Sequence, residues 1–438
     1  MKSSVWHPNT QMSEWSSFDT ITKGKGIWLI DSKGNKIIDA VGSMWCNVWG
    51  HSNPQLVKAI TTQSKKIQHS SLFNLTNEPA EKLADNLIKI SPGMNKVFFS
   101  DNGSSAMEIA IKMALQYWKN IGEKNRTKIA TVENGYHGDT FGAMSVGYVP
   151  EFFAKFKEQL FPTIQFPVPN KYRIPKGLTF VDYQNDCLEK IEKRFSKKDD
   201  IAAFIMESGA QMAGGVIIYP KEFQKKISKL CKKHGILFVL DEIATGFGRL
   251  GSMTQYQEQQ SMPDIVAYGK MLTGGYVTMA ATLANKKIYD SFSGEFNDWK
   301  HLFHGHTYTG NPIAAAVANE NIHMYKKYNL IKKIQKTSKV FEKFYDEILD
   351  IDIVGDIRHK GMLMGIELVS NKETKIPIKT KKSINKVFFE EGKKQGIYLR
   401  TLGNIVMLVP PLSIQDNELE LLLKRTIKTI QASKSKII

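Results

Sequence analysis

The sequence predicts an α/β protein: a large domain with a mostly parallel central sheet covered by helices, plus a smaller α+β domain built from the two chain ends. Three observations carry this. First, the apolar runs IAAFIMES, ILFVLDE and DIVAYGK are continuous rather than alternating, as strands buried on both faces are. Second, amphipathic helical patterns such as KEFQKKISKLCKKHG lie between them. Third, the character changes after Asn311-Pro312, where a long helical stretch leads into the short strands of IVGDIRHKGMLMGIELV and GIYLRTLGNIVMLVPPL.

The elements follow in order. GIWLIDSKGNKIIDA reads as a hairpin, with two apolar runs around the turn residues Asp31 to Asn35. Terminal strands need a partner sheet, so residues 1–55 are expected to pack with the small domain. A helix starts near Pro54, and a second fits EPAEKLADNLIKI and stops at Ser91-Pro92-Gly93. A short strand, Val97 to Phe99, then meets the turn Asp101-Asn102-Gly103-Ser104-Ser105 and the helix AMEIAIKMALQYW. TKIATVEN is a further strand before Gly135-Tyr136-His137-Gly138. The large domain is expected over residues 56–310 and the small C-terminal domain over 311–438. IAAAVANENIHMYKKY through FEKFYDEIL is read as one long helical stretch.

Composition narrows the function classes. The 438 residues are 42% hydrophobic and 24% charged, as in ordinary globular proteins. The start, MKSSVWHPNTQMSEW, has no apolar core of signal-peptide length, and no apolar run approaches the roughly 20 residues that span a bilayer. The three cysteines, Cys46, Cys187 and Cys231, are widely spaced, which argues against a disulfide framework. A cytoplasmic location without membrane attachment is expected. The net charge of +17 comes from lysines spread over many segments, without a basic helix interleaved with aromatics. No nucleic-acid partner is expected.

Ligands of an open parallel sheet bind beyond the carboxyl ends of its strands. Three strands here end in an ionisable residue: Glu207, Asp241 and Lys270. Lys270 is unusual because no other charge occurs from Ile265 through Ala281. Two carboxylates and an amine at strand ends suggest a shared site with perturbed pKa values. Gly103 and Ser104 open a helix whose free N–H groups and dipole favour a phosphate; the same Asp-Asn-Gly-Ser string is also an ordinary N-cap. A Walker loop fails because Asp264 stands where glycine is required and Met271 replaces Ser/Thr. The letters GFGRLG at 246–251 lack the βαβ context of a dinucleotide fingerprint. His301, His304 and His306 lack metal-ligand spacing, so no metal is expected.

Lysine, aspartate and an anion cup together point to pyridoxal 5'-phosphate. Its aldehyde needs an amine, its phosphate an anion cup, and its pyridine nitrogen a carboxylate that keeps it protonated. A carboxylate about 4 Å from that charge contributes on the order of 4 kcal/mol at an effective dielectric near 20. The lysine must be partly neutral, and burial with a cationic neighbourhood is expected to lower its pKa.

LDEIATGFGRLG, AYGKMLTGG, NGYHGDTFGAMSVG and HGHTYTGNP together resemble class III (ω-type) aminotransferases of PLP fold type I. WHPNTQM, MWCNVWGHSNPQL and MALQYWKNIG narrow the similarity to the biotin-biosynthesis branch. The resemblance covers nearly the whole chain. It implies amino transfer to 8-amino-7-oxononanoate, giving 7,8-diaminononanoate, from S-adenosylmethionine or, in a subset, lysine. Other ω-aminotransferases, acting on ornithine, 4-aminobutyrate or a diamine, are the alternative. A PLP-binding regulator that contacts DNA is a remote one, since no helix-turn-helix precedes the aminotransferase region.

The resemblance also implies roles. Lys270 would hold the cofactor and move the proton. Asp241 would pair with the ring nitrogen, Tyr136 would lie on the ring face, and Gly103 and Ser104 would cradle the phosphate. His137 would support its loop, and Glu207 would shape the cofactor pocket. Thr307, with His306, would reach the phosphate of the neighbouring subunit's cofactor, making the enzyme a homodimer. Trp45, Tyr136, Gly305 and Arg400 would face the substrate, with Arg400 binding a carboxylate through its planar fork. Arg249 would anchor its loop to Asp or Glu neighbours. Three departures from the family pattern, Asn9, Met44 and Met407, fall at positions expected to line the substrate pocket.

Overall fold

A computed structural model describes residues 3–438. Its centre is a seven-stranded sheet. From one edge to the other its strands are Lys96–Ser100, Ala280–Ala284, Ile265–Tyr268, Leu237–Asp241, Ile201–Glu207, Lys128–Val132 and Ile164–Phe166. The last five run parallel to one another, and Ala280–Ala284 is antiparallel to both its neighbours.

The continuous apolar runs serve two faces at once. Phe204, Met206, Phe238, Leu240, Val266 and Tyr268 belong to one core cluster. The intervening Ala203, Ile205, Leu237, Val239, Ile265 and Ala267 belong to another. The second face is rich in small residues. The helix Gly103–Asn120 lays Ala106, Ala110 and Ala114 into the same cluster, each fully buried. Small side chains on both surfaces let helix and sheet approach closely. That brings the helix N-terminus level with the carboxyl ends of the strands.

Asn77 caps the helix Glu78–Ile90 by accepting from the Ala80 N–H, and Asn53 caps Pro54–Ser64, with proline in its first turn. Both helices pack on Pro312–Lys327.

The N-terminal hairpin is present as Trp28–Asp31 and Lys36–Asp39, with Asp31 Oδ1 accepting from the N–H groups of Lys33 at 2.9 Å and Asn35 at 2.8 Å. Lys36–Asp39 also pairs in parallel with Ile397–Tyr398 from the C-terminal region, so the two chain ends share one sheet. A further sheet runs Val354–Lys360, Leu363–Asn371, Ile405–Leu408 and Arg400–Leu402.

The long helical stretch after Asn311 is not continuous. It breaks into Pro312–Lys327, Leu330–Thr337, a 3₁₀ segment Ser338–Phe344 and Tyr345–Leu349. The first break is at Asn329, which takes φ +51°, ψ +44°. Asparagine tolerates the left-handed region better than other side chains do. The turn lets Leu330 and Ile334 point back into the core.

Candidate active site

Asp241 stands directly beside Glu207 across the parallel pair, and beside Ala267 on its other side. Lys270 follows Ala267 by three residues. The sheet therefore delivers all three ionisable groups to one edge, where they border a cavity of about 240 Å³. Gly103 and Ser104 border it from the helix start, Tyr136 and His137 from the loop after Lys128–Val132, and Trp45 from the N-terminal segment.

Lys270 opens a short 3₁₀ turn, Lys270–Thr273, which Gly274 closes at φ +64°. Lys270 itself adopts φ +42°. A non-glycine residue there is strained, and such strain gathers at functional sites. Its amine lies 5.3 Å from the centre of the Trp45 ring. Burial pulls its pKa below that of a free lysine, while Asp241 and Glu207 oppose the shift. The neighbourhood is thus anionic rather than cationic, and desolvation alone carries the lowering.

Asp241 is held at both oxygens. Its Oδ1 accepts from the Ile243 N–H at 2.9 Å, and Oδ2 lies 2.8 Å from His137 Nδ1. His137 is buried, and a proton on its Nδ1 donates to the carboxylate. Glu207 accepts from the backbone N–H groups of Met212 at 2.9 Å and Tyr136 at 3.2 Å. Burial nevertheless pushes its carboxyl up to about 7. Glu207 therefore ties the Tyr136 loop to the strand end.

The helix start does two jobs. Asn102 is its N-cap, with the side chain accepting from the Ser105 N–H at 3.0 Å. The N–H groups of Gly103 and Ser104 precede the first intrahelical bonds and are left for another acceptor. A Cβ on Gly103 would come within 2.9 Å of Ile243 Cγ2. Ser104 Oγ accepts from the Asp139 N–H at 3.2 Å, and Tyr136 OH donates to Asp139 at 3.1 Å. Chemically, the cavity offers an amine with weakened proton affinity, a carboxylate locked in place and an anion cradle.

Other expected residues are placed elsewhere. Gly305, His306 and Thr307 lie on the 301–309 loop and do not border this cavity. His306 contacts His304 through the two Nε2 atoms at 3.0 Å, and Thr307 is exposed. Arg400 is half-buried on its strand and also does not border the cavity. Nor do Asn9, Met44 and Met407. Asn9 is exposed at φ +49°, while Met407 is buried in the cluster that backs Trp45. Arg249 is fully buried, but it donates to the carbonyls of Met362 at 2.9 Å and Pro410 at 2.7 Å, not to a carboxylate. The nearby glutamate, Glu242, is already engaged by the N–H groups of Gln255 and Tyr256.

Sequence reasoning did not single out Ile243, Thr245 or Gly138 as site residues and read Asn102 only as part of the N-cap string; all four border the cavity. Ile243 had a signal: it is two residues beyond Asp241, where the chain leaves the strand. Gly138 adopts φ +122°, and a Cβ there would strike Ser104.

A model of the family described as class-III aminotransferase matches residues 11–430. The chain is 39% identical over 434 residues to an adenosylmethionine-8-amino-7-oxononanoate aminotransferase of Geobacter sulfurreducens, covering 97% of this chain and 96% of that protein. To the protein of the same name from Staphylococcus aureus it is 42% identical over 431 residues, covering 96% and 94%. Among solved structures, that of the like-named protein of Methanocaldococcus jannaschii superposes with a TM-score of 0.90 at 40% identity, over 98% of this chain and 97% of that one. An ω-transaminase of Pseudomonas jessenii in complex with PMP gives 0.94 at 28% identity, over 99% and 97%.

Proposed function

Because the chain belongs to the class III aminotransferases, and so is a pyridoxal-phosphate-dependent transaminase of fold type I, we propose that it aminates 8-amino-7-oxononanoate to 7,8-diaminononanoate in biotin synthesis, with S-adenosylmethionine as amino donor. The observation that carries the substrate assignment is near-full-length identity of about 40% to several proteins of that name, against 28% to the ω-transaminase.

The residues fit the cofactor. Lys270, Asp241, the open helix start and the Thr245 hydroxyl, which is buried without a protein partner, all border one small cavity. Bound there, pyridoxal phosphate would supply the electron sink that lets an amino group leave one carbon and join another. Lys270 would be the residue to hold it covalently, and its amine would serve as the proton-carrying acid and base. Desolvation weakens its hold on a proton, the direction both tasks need. Asp241 would keep a proton on the ring nitrogen, and the His137 and Ile243 contacts hold that carboxylate in place. Gly103 and Ser104 would take the phosphate. Tyr136, stacked on Phe153 at 6.1 Å, offers a ring face. Glu207 shapes the pocket by fixing the Tyr136 loop.

The protein acts as a cytoplasmic homodimer in this reading. Phe73, Leu75, Phe296, Trp299, Phe303 and Tyr308 are all more than 60% exposed in the single chain. An apolar area of that extent suits a partner subunit. The 301–309 loop belongs to this area, so His306 and Thr307 would serve the partner's cofactor, with Gly305 beside the substrate. Arg400 takes a substrate carboxylate.

The deciding experiment supplies purified enzyme with 8-amino-7-oxononanoate and either S-adenosylmethionine or lysine. Diaminononanoate is expected with S-adenosylmethionine. Turnover with lysine alone would move the donor assignment, and turnover only of ornithine, 4-aminobutyrate or a diamine would move the acceptor as well.

A further inference from the structure

The segment Gly42-Ser43-Met44-Trp45 forms one turn of left-handed helix. Its φ values are +53°, +47°, +71° and +73°, and helical hydrogen bonds run from the Trp45 N–H to Val41 O at 2.8 Å and from the Cys46 N–H to Gly42 O at 3.0 Å. Three consecutive side-chain-bearing residues in this region are disfavoured, and only glycine, asparagine and aspartate enter it readily. Something must hold the turn, and its last residue is the Trp45 that borders the cavity.

Beneath it sits Asp39, the last residue of its strand and fully buried. Its carboxylate accepts from Ser43 Oγ at 2.8 Å, lies 3.0 Å from His51 Nε2 and takes the Val41 N–H at 3.3 Å. His51 is itself fixed. Its backbone bridges Gly26, and its side chain fills the space a Cβ on Gly24 would need, at 2.7 Å. Asn47 orders the chain just before His51, its Oδ1 accepting the Gly50 N–H at 2.8 Å. None of Asp39, Ser43 or His51 borders the cavity.

We infer that Asp39, acting through Ser43 and braced by His51, is the positioning residue that holds this strained turn and so sets the Trp45 ring against the Lys270 amine. It thereby fixes one wall of the substrate space. A charge-assisted hydrogen bond from the second residue of the turn is the kind of contact that can offset such strain. The inference rests on the transaminase reading of the cavity.

Ser43 is exposed, so its variants test the device without emptying the core. Ser43→Ala removes the donor. It should raise KM for 8-amino-7-oxononanoate or the amino donor about tenfold, with kcat and the lysine-dependent cofactor absorbance little changed. Ser43→Asn keeps an N–H donor and suits the left-handed region, so it should restore KM to within about twofold of the parent. Asp39→Asn should act like Ser43→Ala and show no further KM effect when the two are combined. Unchanged KM in Ser43→Ala, or failure of Ser43→Asn to restore it, overturns the inference. Loss of the cofactor absorbance in the unmodified enzyme would instead count against the transaminase reading.

Discussion

Lys270 combines three conditions seldom met by one lysine: a positive φ, a half-buried and desolvated amine, and two carboxylates within electrostatic reach. Lys270→Ala is therefore expected to abolish the near-visible absorbance of the loaded enzyme; a persisting lysine-type adduct would show that another amine holds the cofactor. Asp241→Asn should lower turnover by roughly a thousandfold, the rate equivalent of about 4 kcal/mol at the ring nitrogen. It should also extend cofactor loading to lower pH, because Asp241 is the largest influence opposing the fall in the Lys270 pKa. Near-normal turnover would remove Asp241 from its assigned role. Glu207 and Glu242 carry a separate signature, since burial raises both to about 7. In the pH window from about 4.5 to 7 the folded chain keeps protons that the unfolded chain has released, so stability falls as pH rises. Glu242→Gln should flatten the decline of Tm across that window, and an unaltered slope would mean that Glu242 titrates normally.

At the scale of elements, the parallel strands were legible because burial on both faces leaves a continuous apolar run, and an ionisable residue ending such a run stands out. The left-handed turn at Gly42–Trp45 was not legible. Serine, methionine and tryptophan have no preference for that region, and the turn depends on Asp39 and His51, which only the fold brings beneath it. Arg249 misled for a similar reason. The carboxylates that come before it in sequence, Asp241 and Glu242, are seven or more residues away, and the fold instead surrounds its guanidinium with carbonyls of Met362, in the turn between Val354–Lys360 and Leu363–Asn371, and Pro410. The break at Asn329 was weakly signalled, since one asparagine within a polar, lysine-rich run is unremarkable. The contact that seats Arg249 also gives an element-scale prediction. Gly361 adopts φ +59°, and a Cβ there would fall 2.5 Å from the backbone carbon of Leu250. Gly361→Ala should cost about 2–4 kcal/mol, from strain and overpacking together. Urea unfolding monitors this directly, and a loss below about 0.5 kcal/mol would mean that the two loops separate easily.

At the scale of the whole molecule, the proposed dimer would have each chain complete its partner's site. The cavity has its amine, carboxylate and helix start, yet His306 and Thr307 lie on an exposed loop away from it, among apolar side chains that a second copy would cover. If Thr307 serves the partner's phosphate, each site needs Lys270 from one chain and Thr307 from the other. Lys270→Ala homodimers are then dead, and Thr307→Ala homodimers bind cofactor weakly at both sites. A mixed dimer of the two variants holds one site with both defects and one with neither. Random exchange makes half the dimers mixed, so about a quarter of all sites should regain full function in a two-fold symmetric dimer. Equal amounts of the two variants, exchanged and assayed at limiting pyridoxal phosphate, should therefore recover about a quarter of the parent activity. If Thr307 instead served its own chain, each chain would carry one defect in its own site, and mixing would recover nothing beyond the average of the two variants.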